Sequence, residues 1–154
     1  MIIRQATIDD LSLYFEWANE IEVRKQSFNS DIINFESHQK WFKKKLNDNS
    51  CMLLVGEFNN IPIGQVRFES DFQAKTSSIG ISIDKNSRGK SISSELLIKA
   101  SNHFLNAYPE FIINAYIKEI NHKSIYVFTK AGFKFLEKII YQGHDSVLYT
   151  KNVK

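Results

Sequence analysis

The chain of 154 residues has one cysteine, Cys51, two prolines and six glycines. A single thiol excludes an internal disulfide framework and argues against a cysteine-based metal site. Its apolar neighbours Met52, Leu53, Leu54 and Val55 read as a buried strand, not as the surroundings of a nucleophile. The four histidines, His38, His103, His122 and His144, stand far apart, with no paired spacing, so no metal is expected. No apolar run approaches the roughly 20 residues of a membrane span. The opening Met1-Ile2-Ile3-Arg4 lacks a cationic segment followed by an apolar one, so no signal peptide is expected and a soluble cytoplasmic protein is. Charge of one sign is scarce too. The net +3 is spread among acids, which argues against a nucleic-acid surface and suits a small anionic ligand. No repeat, linker or low-complexity stretch divides the chain.

What is present is an ordinary globular composition, 43% hydrophobic and 24% charged, enough for one domain with a real core. Ile2 to Ala6 reads as a strand. Thr7 is placed to cap a helix, with Asp10 three residues on and an apolar face at Leu11, Tyr14, Phe15 and Ala18. Residues 19–30 lose that period and suggest a short helix and a loop. Ser37 to Leu46 is helical again, with Trp41, Phe42 and Leu46 inward. Cys51 to Phe58 and Ile61 to Glu69 form a hairpin through Asn59-Asn60. A turn at Gln73 to Thr76 leads to a strand in which Ile79, Ile81 and Ile83 alternate with small residues. A polar turn, Asp84 to Ser87, then leads through residues 88–93 into a helix carrying Leu96, Leu97, Ala100 and Phe104 on one face, stopped by Pro109. Phe111 to Ile117 is a strand, Asn121 to Ala131 a helix ended by Gly132, and Phe133 to Gln142 with Ser146 to Thr150 a closing hairpin about Gly143-His144-Asp145. The expected fold is α/β (α+β). It is one domain over residues 1–154, a mixed, mostly antiparallel twisted sheet of six to seven strands with helices on both faces.

A strand, a basic loop of small residues and a helix start present free backbone N–H groups to an anion. This order, with Arg88-Gly89-Lys90-Ser91-Ile92-Ser93 at the helix start, resembles the GNAT superfamily of N-acetyltransferases over nearly the whole chain. The family's cofactor loop runs Arg or Gln, two residues, Gly, one residue, Gly or Ala; Ser91 and Ser93 depart from it. A second stretch, Asn121-His122-Lys123-Ser124 through Phe128, Lys130 and Gly132-Phe133, is similar to the family's late helix. The resemblance implies acetyl-CoA as cofactor. It implies a backbone N–H in Ile81-Ser82-Ile83 near the thioester carbonyl, the pyrophosphate on residues 88–93, and Asn121, Ser124, Phe128 and Lys130 along the cofactor.

The family's usual leaving-group acid is a tyrosine where this chain has Phe128, and its usual carboxylate position holds Tyr116. Tyr116, His38 and Glu69 are therefore the candidate proton-transfer groups, with packing roles as the alternative for each. Tyr126 lies about 200° round the helix from Phe128 and is no substitute. Arg24, Ser27, Asn29 and Trp41 fall where the family builds its acceptor pocket. Arg24 could meet a substrate phosphate, or pair with Glu20 or Glu22. The segment from Asn19 to Phe42, with Ile63-Gly64-Gln65-Val66-Arg67-Phe68, is similar to acetyltransferases of nucleotide-linked amino sugars in pseudaminic and legionaminic acid pathways. The implied acceptor is a small-molecule amine on such a sugar, and a homodimer is expected. Polyamines, protein N-termini and a non-catalytic acyl-CoA-binding role are the alternatives.

Overall fold

The structure is a computed structural model that describes residues 1–89 and 91–153. Seven strands among these residues form one sheet: β1 (Ile2–Gln5), β2 (Cys51–Phe58), β3 (Ile61–Asp71), β4 (Thr76–Ile83), β5 (Ile112–Lys118), β6 (Lys134–Tyr141) and β7 (His144–Lys151). Their order is β1-β2-β3-β4-β5-β7-β6. The helices are α1 (Leu11–Asn19), α2 (Ile21–Gln26), α3 (Phe35–Leu46), α4 (Ile92–Ala107) and α5 (His122–Lys130). β4 and β5 are parallel, and the other paired strands run antiparallel.

Local chemistry sets the boundaries. Asn59 and Asn60 adopt φ of 49° and 66°, the left-handed pair that a two-residue hairpin needs. The closing hairpin turns on Gln142 and Gly143, with φ of 47° and 79°. It is tighter than the expected turn over residues 143–145, so His144 and Asp145 lie in β7. Asn34 caps α3 through Ser37 N–H at 2.8 Å, which starts that helix at Phe35, ahead of Ser37. Thr7 and Asp10 make the expected reciprocal cap, but around a 3-10 turn that precedes α1. Gly132, at φ 92°, ends α5, with Phe133 N–H donating to the Phe128 carbonyl at 3.0 Å.

The sheet has a core on each face. On one side Leu54, Val66, Phe68, Ile113 and Ala115 pack under Leu96, Leu97, Ala100 and Phe104 of α4 and Phe128 of α5. On the other, Leu53 and Val55 meet Leu11, Tyr14 and Trp17 of α1 and Phe42 of α3. The buried stripe of α1 is thus Leu11, Tyr14 and Trp17, without the expected Phe15 and Ala18. Trp17 is drawn in by a long-range bond, its Nε1–H donating to Asp84 Oδ1 at 3.0 Å.

Candidate active site

The sheet opens at its centre. β4 and β5 pair only from Thr76 opposite Ile112 to Ser78 opposite Asn114, and beyond that point they part. Asp84 N–H donates to the Ile63 carbonyl at 2.8 Å, so the even-numbered amides of β4 face β3. The odd-numbered amides face the other way, and the Ile81 N–H points into the gap where β4 has no paired neighbour. The Ile83 carbonyl, turned the same way, accepts from Arg88 Nη2 at 3.0 Å. The Ile79, Ile81 and Ile83 side chains pack into the core under α4. Ser82 does not reach the gap. Its amide faces β3, and its buried hydroxyl accepts from Gln65 Nε2 at 3.1 Å, which corrects its expected cofactor role.

Two residues of the loop after β4 hold the positive φ that favours glycine. Gly89 has φ 82°, and Ser91 holds the left-handed region at φ 59°, ψ 14°. Ser91 is the N-cap of α4, yet its side chain makes no capping bond. The first-turn amides of Ile92, Ser93 and Ser94 are therefore not satisfied by that residue. A side chain built on Gly89 would meet nothing within 4 Å, so the space above the loop is open. These features fit an anion at a helix N-terminus. Lys90 lies outside the described residues. The Arg88 side chain braces the loop: Nη2 is 2.9 Å from Glu20 Oε2, and this guanidinium holds the Glu20 carboxyl below the usual carboxylate range. Ile92 packs partly against the core and Ser93 is half-buried.

Along α5, Asn121 Oδ1 accepts from Ser124 N–H at 3.2 Å, so the asparagine caps the helix it begins. Phe128 is only 4% exposed and sits edge-on to Phe133 at 5.0 Å. That ring is core, which corrects its expected place on the cofactor. Lys130 is exposed, over the Tyr126 ring at 5.9 Å.

The face of the sheet opposite α4 carries the polar groups. Ile113, Ala115 and Ile117 point into the core, so Asn114, Tyr116 and Lys118 point to this face. Tyr116 lies two residues past the last β4–β5 pair and stacks on Tyr141, with centroids 4.1 Å apart and planes 13° apart. Burial pushes its hydroxyl pKa up, so the phenol stays protonated at neutral pH. Phe28 packs edge-on to Tyr141 at 4.8 Å, and His144 Nε2 lies 3.0 Å from the Phe28 carbonyl. These contacts bring the segment after α2 over the β5–β6 side.

Three other expectations are corrected here. His38 is 3% exposed, with Nε2 at 2.9 Å from the Leu11 carbonyl and its ring stacked on Phe42. Burial lowers its pKa, and it ties α3 to α1 with no access for a substrate. Arg24 pairs with neither Glu20 nor Glu22. Its donors go to the carbonyls of Ala18, Asn29 and Asp31 and to Ser27 Oγ, at 2.6–3.2 Å. Ser27 in turn donates to the Val23 carbonyl, and Asn29 Oδ1 accepts from Asp31 N–H. Arg24 and Ser27 are occupied within the loop between α2 and α3, while the exposed Asn29 uses only the Oδ1 of its side chain there. Glu69 stands 3.6 Å from Lys45 and 3.8 Å from Arg67, engaged with two cations. Trp41 is half-buried, with the Arg67 guanidinium 5.9 Å from its ring centre. The sequence reading assigned no role to Arg67 or Lys118. Arg67 lies over Gly80, where a side chain would come within 2.7 Å of its guanidinium carbon.

A cavity of about 260 Å³ lies elsewhere. Lys45, Asp48, Cys51, Ser70, Phe104 and Tyr108 line it. Phe104 and Tyr108 are at the far end of α4 from Ser91, and Cys51 and Ser70 at the far end of their strands from Gly64, which pairs with Ile83. It does not open on the parted strands, and burial pushes the Cys51 thiol pKa up, away from a reactive thiolate.

The family profile described as an acetyltransferase (GNAT) domain matches residues 1–134. The chain belongs to the GNAT acetyltransferase family. Solved structures share its fold. The aminoglycoside acetyltransferase AAC(6')-Ib, in complex with coenzyme A and kanamycin, has a TM-score of 0.84 at 18% identity, over 98% of this chain and 94% of that one. The spermidine N-acetyltransferase of Vibrio cholerae, with coenzyme A and spermine, has a TM-score of 0.84 at 17% identity, covering 97% and 92%. The ribosomal-protein-alanine N-acetyltransferase of Brucella melitensis gives 0.82 at 19% identity, covering 99% and 100%. No curated protein matches by sequence. The family assignment makes this GNAT protein an acetyl-CoA-dependent N-acetyltransferase.

Proposed function

We propose that this acetyltransferase, a single domain over residues 1–154, moves the acetyl group of acetyl-CoA directly to the amino group of a nucleotide-linked amino sugar. The observation that carries the chemistry is the Ile81 N–H directed into the gap between β4 and β5, one helix start away from an uncapped α4. The open space at Gly89, the left-handed Ser91 and the amides of Ile92, Ser93 and Ser94 fit the pyrophosphate of the cofactor. Asn121 and Ser124 stand at the start of α5, where the pantetheine arm would run. When bound, acetyl-CoA supplies an activated acyl carbon and a thiolate leaving group.

The protein's own residues then have three tasks. The Ile81 amide donates to the carbonyl oxygen as negative charge develops there, and it is fixed by the strand before the reaction begins. The Tyr116 hydroxyl, protonated at neutral pH, gives its proton to the departing sulfur as the C–S bond breaks and the C–N bond forms, and is reprotonated through water by the second proton that the nitrogen sheds in becoming an amide. The ammonium proton leaves through water, since His38 is enclosed and Glu69 is engaged with cations. Positioning of the two substrates supplies much of the rate. The acceptor class rests on the likeness of residues 19–42 and 63–68 to sugar-nucleotide acetyltransferases.

Thiol release from acetyl-CoA, followed across a UDP-linked amino sugar, a polyamine and a peptide with a free N-terminus, tests the acceptor. Turnover is expected to favour the UDP sugar. Efficient acetylation of the peptide or polyamine with the sugar idle would replace this reading with one of the other acceptor classes.

A further inference from the structure

We infer that Arg67 and Lys118, on strands either side of the gap, bind an anionic group of the acceptor, a phosphate or a carboxylate, and so set which amines this enzyme accepts. The inference rests on the acetyl-transfer reading above and adds residues to it.

Charge on the polar face is unevenly balanced. Two of its carboxylates are matched by cations, Glu20 by Arg88 and Glu69 by Lys45 and Arg67, and Glu137 adds a negative charge felt by Tyr116. Two cations, Lys118 and Arg24, have no carboxylate partner among the described residues. Lys118 is 9% exposed, and its ammonium makes one long bond, 3.4 Å, to the Lys25 carbonyl. Arg24 has carbonyls and a hydroxyl but no carboxylate. Burial and the nearby Arg67 charge both lower the Arg24 pKa, the mark of positive charge in excess. An ammonium enclosed without an anion is costly, and the cost is recovered when an anion arrives.

Geometry places this excess at the reaction site. Arg67 pairs across β3–β4 with Gly80, next to Ile81, and only the missing side chain at Gly80 lets its guanidinium lie there. The Trp41 ring supports it from the side of α3, and Glu69, at 3.8 Å, leaves the planar fork without a close two-point partner. Lys118 lies two residues beyond Tyr116 on the same face of β5. An acceptor amine delivered to the Ile81–Tyr116 gap would therefore be flanked by a guanidinium on the β4 side and an ammonium on the β5 side. Arginine suits two-point contact with phosphate or carboxylate, and lysine adds a point charge.

The test compares kcat/KM for matched amines: glucosamine, glucosamine 6-phosphate and muramic acid, with spermidine as a polycation. The wild-type enzyme is expected to favour an anionic sugar over glucosamine by about tenfold or more, the equivalent of one charge-assisted bond. The phosphate and carboxylate arms tell which anion is bound. In Arg67→Gln and Lys118→Met the ratio of the anionic to the neutral sugar should fall toward one, and Lys118→Arg should restore it. Acetyl-CoA affinity, measured by calorimetry on each variant, should match wild type and shows that the fold survives. A preference for glucosamine or spermidine, or variants that keep the wild-type ratio, overturns the inference while leaving acetyl transfer intact. Failure to bind acetyl-CoA brings down the underlying reading and this inference with it. Turnover of the phosphorylated sugar without turnover of a UDP sugar supports the inference and refutes the nucleotide-linked acceptor.

Discussion

Ser91→Gly tests the geometry of the cofactor loop through stability alone. Ser91 holds a left-handed backbone at φ 59° with an exposed side chain that caps nothing. A left-handed conformation costs an ordinary L-residue roughly 1–2 kcal/mol. Glycine removes that cost but adds about 0.4–1 kcal/mol of unfolded-chain entropy. The net expectation is stabilisation of about 0.5–1 kcal/mol, which for a chain of this size raises Tm by about 1–4 °C. Ser91→Ala keeps the strain and loses no cap, so it should stay within about 0.5 kcal/mol of wild type. Ser91→Val adds β-branching and should lose stability. Urea unfolding monitored by circular dichroism measures all three. If Ser91→Gly is destabilised as an ordinary exposed glycine replacement would be, and Ser91→Ala is not, the loop does not have this conformation and its fit to a pyrophosphate lapses.

Further outcomes follow from the same structure. Tyr116→Phe should keep acetyl-CoA affinity, because the stack on Tyr141 survives, and lower kcat by about a hundredfold or more; an unchanged kcat removes Tyr116 from proton transfer. His38→Ala should lose stability, with less effect on kcat of the folded enzyme than Tyr116→Phe has; the reverse ordering would make His38 catalytic. Burial lowers the folded pKa of His38, so the unfolded chain takes up a proton first as pH falls through about 6.5. Its contribution to stability is full above that pH and is lost as pH falls through the folded pKa, so His38→Gln should show a flatter pH slope in urea titrations below pH 7. Gly64→Ala would put a methyl 2.7 Å from the Ser82 carbonyl, with Leu96 and Ile83 at 3.0 Å, and should cost about 1–3 kcal/mol in chemical denaturation.

The sequence made the fold legible where local chemistry decides it. The Asn59-Asn60 turn, the Gly132 cap and the α4 stripe are short-range features, and each lies where its residues implied. The family resemblance carried the cofactor. What failed was long-range. The Arg88–Glu20 pair and the Trp17–Asp84 bond span 68 and 67 residues, and no periodicity reports them. Arg24 reads as a partner for a substrate phosphate or for Glu20 or Glu22, because the carbonyls it binds leave no mark in a sequence. His38 could have been found: it lies three and four residues before Trp41 and Phe42, on the same helical face, and Phe42 is fully buried. Arg67 and Lys118 gain interest only once β4 and β5 are seen to part, with Arg67 paired beside β4 and Lys118 on β5.

The central claim is that acetyl-CoA binds between the parted strands with its pyrophosphate on the α4 start. An amide chemical-shift titration with acetyl-CoA tests it most directly. The account predicts the largest changes at Ile81 and at Ile92, Ser93 and Ser94. Changes centred on Asp48, Ser50 and Cys51, around the cavity at the far end of the sheet, with Ile81 unmoved, would contradict it.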